Sequence, residues 1–148
     1  MGAGGRWRVG RLVAVAVTVC VVDACAVNDT AYRDEGQAFV ESAVRSVATE
    51  WNADELIARA DPQFLEHLSE PKAREMVARL SSELGPLKRS TTQLATVGFN
   101  VGAWFGKGAQ YTMKLECEKG TATLVVVARK VKERWRILGF WVNVEQQR

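Results

Sequence analysis

Two side chains in this sequence, His67 and Tyr111, are of types that carry acid–base chemistry. His67, the one histidine, follows Phe64 by three residues on a predicted helix that begins at Pro62. An imidazole at a pocket mouth can take or give a proton near neutral pH. Tyr111 lies on the inward face of a predicted strand, and no acidic residue shares that face. We therefore predict no catalytic residue, and keep His67 and Tyr111 as candidates for an alternative, enzymatic interpretation.

The cysteines, glycines and metal-ligand types indicate no further chemistry. Cys117 alternates with polar residues on a predicted strand, which is typical of a small buried hydrophobic side chain. One histidine and one cysteine inside the domain provide no metal-ligand pair at useful spacing. The stretch Gly102–Gly108 lacks the strand–turn–helix context of a phosphate loop and the Ser or Thr that follows its lysine. We predict neither a metal nor a cofactor.

The first 25 residues predict an export signal. Residues 1–11 carry three arginines and no acid, and an apolar run from Leu12 to Val22 follows, interrupted only by Thr18. That run is shorter than the roughly 20 residues that a membrane span needs. A basic segment, a short apolar segment and small residues at a cut site are together typical of a secretory signal peptide.

The signal has two candidate cleavage sites. The segment 24–26, Ala-Cys-Ala, fits release before Val27 by an ordinary signal peptidase. The segment 22–25, Val-Asp-Ala-Cys, resembles a bacterial lipobox, whose cysteine becomes a lipidated first residue, although its aspartate departs from that pattern. We favour lipidation of Cys25, and the alanine after it favours the outer membrane by resemblance to known sorting rules. A third alternative keeps the apolar segment 12–22 as an uncut membrane anchor.

Most of the positive charge belongs to this signal. Removing residues 1–24 takes away three arginines and one aspartate, which lowers the formal net charge from +3 to about +1. A surface so close to neutral gives no case for nucleic-acid binding. The remaining length suits one domain. We predict a signal at 1–25, a polar tether at 26–30 and a single domain at 31–148.

Helical signals fill the first half of the domain, and strand signals fill the second. An apolar stripe at spacings of three and four runs from Ala31 to Trp51. Asn52 begins a capping box, Asp61 is a second N-cap before a proline, and the Gly-Pro pair at 85–86 ends the last helix. The first strand is predicted at 90–101, and two hairpins complete an antiparallel sheet.

Two-residue hairpin turns fix the predicted register of that sheet. A turn at 119–120 predicts the pairs Cys117–Ala122, Leu115–Leu124, Met113–Val126 and Tyr111–Ala128. A turn at 132–133 predicts the pairs Leu124–Trp141, Val126–Gly139 and Ala128–Ile137.

The predicted sheet and the turn before it contain two apolar surfaces. In this register the outer face collects Val125, Val127, Leu138, Phe140 and Val142. Such a face is either covered by the rest of the domain or is a dimer contact, and we keep both interpretations. Trp104 and Phe105 stand in a glycine-flanked turn without strand period. An aromatic pair there either contacts a ligand, a partner or a membrane, or folds back over the domain, and we keep both interpretations.

The order of elements and their apolar positions resemble a known superfamily. The closing pattern W-x-I-x-G-F is formed by Trp135, Ile137, Gly139 and Phe140, and the helical positions are Phe64, Leu65, Leu68, Met76, Leu80, Leu84 and Gly85. Over nearly all of residues 31–145, the chain resembles the cystatin-like cone of the nuclear transport factor two-like superfamily. It looks most like the small domains of that kind in bacterial envelope proteins and lipoproteins.

The resemblance implies an α+β fold with N-terminal helices on a curved antiparallel sheet of about four strands. Members of the superfamily include isomerases and dehydratases as well as domains that only bind or dimerise, so fold alone does not select a function. We expect a non-catalytic exported envelope domain, lipid-anchored or soluble, that binds a partner or a small apolar ligand and forms a homodimer. The alternative is a small-pocket acid–base enzyme of the isomerase or dehydratase kind.

Overall fold

A computed structural model describes residues 20–101 and 104–146 of the chain. Within these ranges four helices pack on a curved antiparallel sheet of four strands, so the predicted α+β fold is confirmed. The helices are α1 (Cys20–Ala48), α2 (Ala53–Arg59), α3 (Pro62–His67) and α4 (Glu70–Leu84). The strands are β1 (Leu87–Val101), β2 (Trp104–Cys117), β3 (Thr121–Val131) and β4 (Arg134–Glu145), and they are hydrogen-bonded in that order. In the described ranges, none of the helices has the length and apolar character to cross a membrane.

The core lies between α1 and the inner face of the sheet. The predicted stripe of α1 is confirmed, since Val40, Val44 and Val47 are at most 1% exposed. Tyr111 and Leu124 face it from the sheet and are fully buried. Each large apolar side chain buried in this way stabilises the fold by about 1.5–3 kcal/mol relative to an exposed one.

Helix α1 is longer than the sequence predicts at its start and shorter at its end. Residues 26–30, the predicted tether, are helical, because the segment has neither glycine nor proline and an ion pair from Asp29 to Lys107 at 3.2 Å holds it to β2. The helix ends at Ala48, and the chain turns at Trp51, where φ is +50°. The predicted cap of α2 is confirmed, since Asn52 accepts a hydrogen bond from the Asp54 amide at 3.0 Å.

The pairing of β2 with β3 corrects the predicted register by two residues. The observed pairs are Leu115–Ala122, Met113–Leu124, Tyr111–Val126 and Ala109–Ala128. The apolar face is unchanged, because a shift of two preserves the side of the sheet. The shift arises because the turn lies one residue earlier than predicted, at 118–119, where the Cys117 amide donates to the Gly120 carbonyl at 2.8 Å. The Glu118 and Lys119 amides donate to the carbonyls of Pro86 and Leu84, at the end of α4.

The pairing of β3 with β4 begins as predicted and then changes. The two-residue turn is confirmed, with φ of 49° at Lys132 and 65° at Glu133, and so is the pair Ala128–Ile137. A β-bulge at Leu138 then adds one residue to β4. A one-residue shift exchanges the faces of a strand. The predicted pairs Leu124–Trp141 and Val126–Gly139 are therefore wrong, and the observed pairs are Val127–Gly139, Val126–Phe140, Val125–Trp141 and Leu124–Val142.

The first hairpin also differs from the prediction. Trp104 and Phe105 are strand residues of β2, paired with Val101 and Asn100, and are not part of a loose turn. Gly108 pairs with Gly98 of β1, whereas Gly106 lies in the irregularity between the pairs Gly98–Gly108 and Asn100–Phe105. Residues 102 and 103 and the side chains of Trp104 and Phe105 lie outside the described part of the chain.

Candidate binding cleft

A cleft of about 410 Å³ lies beside β4, the last strand in the sheet order. One wall comes from the helices and consists of Gln63, Phe64, His67, Leu68 and Met76. The other wall comes from the sheet and consists of Val127, Leu138, Gly139, Phe140 and Trp141. The volume falls within the roughly 300–1,000 Å³ that is usual for small-molecule sites.

Asp61 holds the helical wall in place. Its side chain, at 2% exposure, accepts from the Gln63 amide at 2.9 Å and so caps α3. Its second oxygen takes an ion pair from Arg129 of β3 at 2.7 Å. The Asp61 amide donates to the Ile137 carbonyl on β4 at 2.8 Å. Asp61 therefore fixes α3 to β3 through its carboxylate and to β4 through its backbone amide, and Phe64 and His67 are placed over the cleft as a result.

The bulge and a glycine shape the sheet wall. Because of the bulge at Leu138, Phe140 turns to the core and is 3% exposed, whereas Trp141 turns outward and is 55% exposed. Gly139 lies beneath the indole of Trp141, and a Cβ built on it would stand 2.2 Å from Trp141 Cη2. Only glycine permits so close an approach of ring and backbone. The indole thus rests on the strand with one face supported and the other open.

The cleft is lined mainly by apolar side chains, together with two polar ones. Gln63 and His67 are the polar side chains among its described lining residues, and no carboxylate is among them. Large apolar side chains with few polar groups suit burial of an apolar or aromatic molecule. General acid–base catalysis usually needs a second positioned proton carrier, and the described lining supplies none beside His67.

The two catalytic candidates are not brought together. His67 is exposed and lines the cleft, whereas Tyr111 is fully buried in the core and is not a cleft residue. The Tyr111 hydroxyl donates to the Arg33 carbonyl at 2.8 Å, and burial raises the pKa of this phenol well above its ordinary value. Burial likewise raises the pKa of the Cys117 thiol. Across the described residues no group of three or more His, Cys, Asp or Glu side chains could hold a metal.

The five residues predicted as a dimer face do not lie on one face. Val127 and Phe140 are buried at 2% and 3% exposure and line the cleft together with Leu138. Val142 packs against the core, and Val125 remains on the outer face opposite Trp141. The grouping fails because it depends on a bulge-free β4. The homodimer itself stays a prediction.

Other predicted site residues lie where no side chain is described. Most of the export signal, residues 1–19, falls outside the described residues. The backbone of Cys25 belongs to α1, but its side chain lies outside the described part of the chain, as do those of Trp104 and Phe105. Lipidation of Cys25 and ligand or partner contact by the aromatic pair therefore remain predictions.

The predicted pair Leu124–Trp141 turned Trp141 toward the core face, so its place in the lining of the cleft was not predicted. The available signal was the pair Gly139 and Trp141, because a glycine two residues from a tryptophan on one strand face leaves room beneath the ring. Asp61 was predicted only as a cap, and nothing local indicated its ion pair with Arg129, 68 residues away.

No protein-family model, curated protein or solved structure matches this chain. The superfamily resemblance thus remains an expectation drawn from the sequence, and the function is inferred from the cleft.

Proposed function

We propose that this chain is a non-catalytic domain that binds a small apolar ligand in the cleft beside β4. The observation that carries the proposal is the indole of Trp141, which is 55% exposed yet supported from below by Gly139. A large apolar ring held open to solvent at the rim of a cleft is a ready contact for an apolar molecule. Phe64 and Phe140 supply buried aromatic surface deeper in the same cleft.

Fluorescence titration with anilinonaphthalene sulfonate, an apolar probe, tests this proposal. We expect the probe to bind the full chain and Trp141→Ala to weaken its Kd about tenfold, which corresponds to about 1.4 kcal/mol. The matched control is Leu94→Ala, which removes another exposed apolar side chain, 56% exposed on β1, far from the cleft residues in the sheet order. Equal binding by Trp141→Ala and the unchanged chain would contradict the proposal.

A second copy of the chain is an alternative occupant of the same surface. Trp141 is paired with Val125 on the outer face of the sheet, so a homodimer could cover both. Light scattering over a range of concentrations separates the two cases. A dimer that Trp141→Ala dissociates would replace the ligand proposal, and a monomer at every concentration would end the homodimer prediction.

The alternative acid–base enzyme depends on His67, because this residue lines the cleft and Tyr111 does not. The alternative requires His67 to act without a described acidic partner in the lining. Any compound found to bind the cleft is therefore followed for chemical conversion by NMR. Conversion that His67→Gln abolishes while leaving Kd unchanged would favour the enzyme over the binding domain.

We also propose that the domain is exported and lipid-anchored through Cys25, with the outer membrane as its place. The support is the order of basic, apolar and small residues over positions 1–25. Intact mass of the protein recovered from a bacterial host tests this proposal. Acyl chains on Cys25 are expected; a free terminus at Val27 would indicate ordinary secretion, and an intact Met1 would indicate an uncut anchor.

A further inference from the structure

We infer that one end of the molecule docks on an anionic lipid bilayer, and we call it the anchor end. It is defined by the start of α1 together with Phe99, Val131, Lys132 and Arg134. The inference rests on the proposed membrane anchoring of the chain and adds a second, non-covalent contact with the same membrane. The proposed partner of the exposed side chains at this end is the bilayer surface.

Hydrogen bonds and ion pairs bring the parts of the anchor end together. Asp29 on α1 pairs with Lys107 on β2 at 3.2 Å. One turn later, Tyr32 donates to the Lys107 carbonyl at 3.4 Å and accepts from the Lys130 amide at 3.1 Å. Lys130 lies next to Val131, where the β3–β4 hairpin turns. The start of α1 and this hairpin tip therefore lie at the same end of the sheet, together with the part of β2 that pairs with the end of β1.

Apolar side chains are exposed at this end. Phe99 is 71% exposed, the most exposed of the large apolar side chains in the described residues, and it lies at an irregularity between Gly98 and Asn100 where β1 and β2 extend beyond β3. Val131 is 37% exposed beside the turn at 132–133. Transfer of an exposed phenylalanine ring from water to the membrane–water interface is favourable, since aromatic rings are favoured there.

The charges at the anchor end favour an anionic surface. Its described carboxylates each lie within 4 Å of a cation: Asp29 with Lys107, Asp34 with Arg33, and both Glu35 and Glu133 with Lys130. Lys132 and Arg134 are exposed and form no ion pair with a described residue. These two cations are free to meet lipid phosphates, as basic residues near a membrane do.

The proposed anchoring segment of the chain lies next to this end in the sequence. Cys25 precedes Asp29 by four residues, which is about 6 Å along a helix, and the apolar run of residues 12–22 comes just before it. A lipid on Cys25 or a retained apolar segment would therefore hold the bilayer beside the same hairpin tips. The cleft is held away from the surface, because Trp141 is seven residues along β4 from Arg134, roughly 23 Å at strand rise.

Quenching by brominated lipids tests the docking. The full chain is reconstituted with vesicles of phosphatidylethanolamine and phosphatidylglycerol that carry brominated acyl chains, and each variant is compared with the unchanged chain. We expect the emission added by Phe99→Trp to be quenched at least several-fold more than that added by Leu94→Trp. Leu94 is the matched control, since it is 56% exposed on the same strand but farther from the hairpin tip. Equal quenching of the two variants would overturn the inference.

Charge reversal tests the anionic character of the surface. With Lys132→Glu and Arg134→Glu added to Phe99→Trp, we expect quenching to fall at least twofold on phosphatidylglycerol vesicles. On phosphatidylcholine vesicles we expect weak quenching with and without the reversal. Quenching that is equal on both lipids and unaffected by reversal would overturn the anionic claim.

Intact mass separates this inference from the proposed anchor. Acyl chains on Cys25 without quenching of Phe99→Trp would leave the anchor standing and overturn the docking. Quenching in a chain that carries no lipid would support the docking and overturn the lipid anchor. A chain that does not float with the vesicles would overturn both.

Discussion

Two glycines of this fold each lie beneath an aromatic ring, but their surroundings differ. A Cβ on Gly36 of α1 would stand 2.2 Å from Tyr111 Oη and 2.7 Å from Trp135 Cη2. A Cβ on Gly139 of β4 would stand 2.2 Å from Trp141 Cη2. In both places the nearest side-chain atom would be 2.2 Å from the new Cβ. What differs is whether the other face of the ring is covered.

At Gly36 the rings are enclosed. Tyr111 is fully buried, and Trp135 lies 4.6 Å from the Tyr32 ring and donates to Glu35 at 3.1 Å. At Gly139 the far face of the indole meets solvent. The same close approach therefore accompanies packed rings in one region and a solvent-exposed ring in the other. Coverage of the second face, and not the glycine, distinguishes the two regions.

The largest effect is expected from Asp61→Asn, which releases the helical wall of the open region. Asparagine keeps an oxygen to cap α3, but the ion pair with Arg129, in which the carboxylate is 3% exposed, is lost. Breaking a buried pair costs about 3–5 kcal/mol, and partial exposure of Arg129 reduces this to about 2–3 kcal/mol of unfolding free energy. Urea denaturation measures the loss. Asp34→Asn, which breaks an exposed pair, serves as the control and should change stability by less than about 0.5 kcal/mol.

Gly36→Ala breaks the enclosed region and is expected to cost about 2 kcal/mol in urea denaturation. Alanine is favoured over glycine by about 1 kcal/mol inside a helix, so a net loss would show that overpacking against Tyr111 and Trp135 dominates. Gly120→Ala is the matched control, because its new Cβ would meet only Leu84 Cδ2, at 3.8 Å. A stabilised Gly36→Ala variant would contradict the view that the rings cannot move.

Gly139→Ala sharpens the comparison, because the same clash should cost little stability. Trp141 is 55% exposed and can swing into solvent, so we expect a loss below about 1 kcal/mol. We expect Gly139→Ala also to weaken binding of the apolar probe, because the indole is displaced from the cleft. A stability loss as large as that of Gly36→Ala would show that the two regions do not differ in the proposed way.

The smallest expected effect is on the pH dependence of stability, through Glu35 in the enclosed region. The hydrogen bond from Lys130, followed by that from Trp135, lowers the pKa of Glu35 below its ordinary value of 4.5. A lowered pKa in the folded state means that this contribution is complete above pH 4.5 and is lost as the pH falls below it. Glu35→Gln should therefore lower the thermal midpoint slightly at pH 7, and this difference should shrink as the pH falls below 4.5. A difference that grows on acidification would have the wrong sign.

Local signals in the sequence predicted most of the fold. The α1 stripe, the caps at Asn52 and Asp61 and the turn at 132–133 each depend on a few neighbouring residues, and all were confirmed. The β2–β3 turn was predicted one residue too late, because its position is set by carbonyls at the distant end of α4. Tertiary contacts of this kind have no local signature.

The candidate site was predicted only in part for the same reason. His67 was kept only as a candidate for the alternative, enzymatic interpretation, and it does line the cleft. Trp141 was assigned to the core, because a single bulged residue at Leu138 exchanged the faces of the rest of β4. Alternation alone does not reveal a bulge, since both faces of this strand are apolar and either register satisfies the pattern.

The turn between β2 and β3, at 118–119, has a practical consequence for anyone who modifies this protein. Hairpin tips are usually the safest places for an inserted epitope or a new chain terminus. Here the amides of Glu118 and Lys119 are bound to carbonyls at the end of α4, so an insertion would unfasten the sheet from the helical half. The turn at Lys132 and Glu133 has no backbone hydrogen bond to a helix among the described contacts, so a graft there would spare the fold, but it would lie on the proposed anchor end.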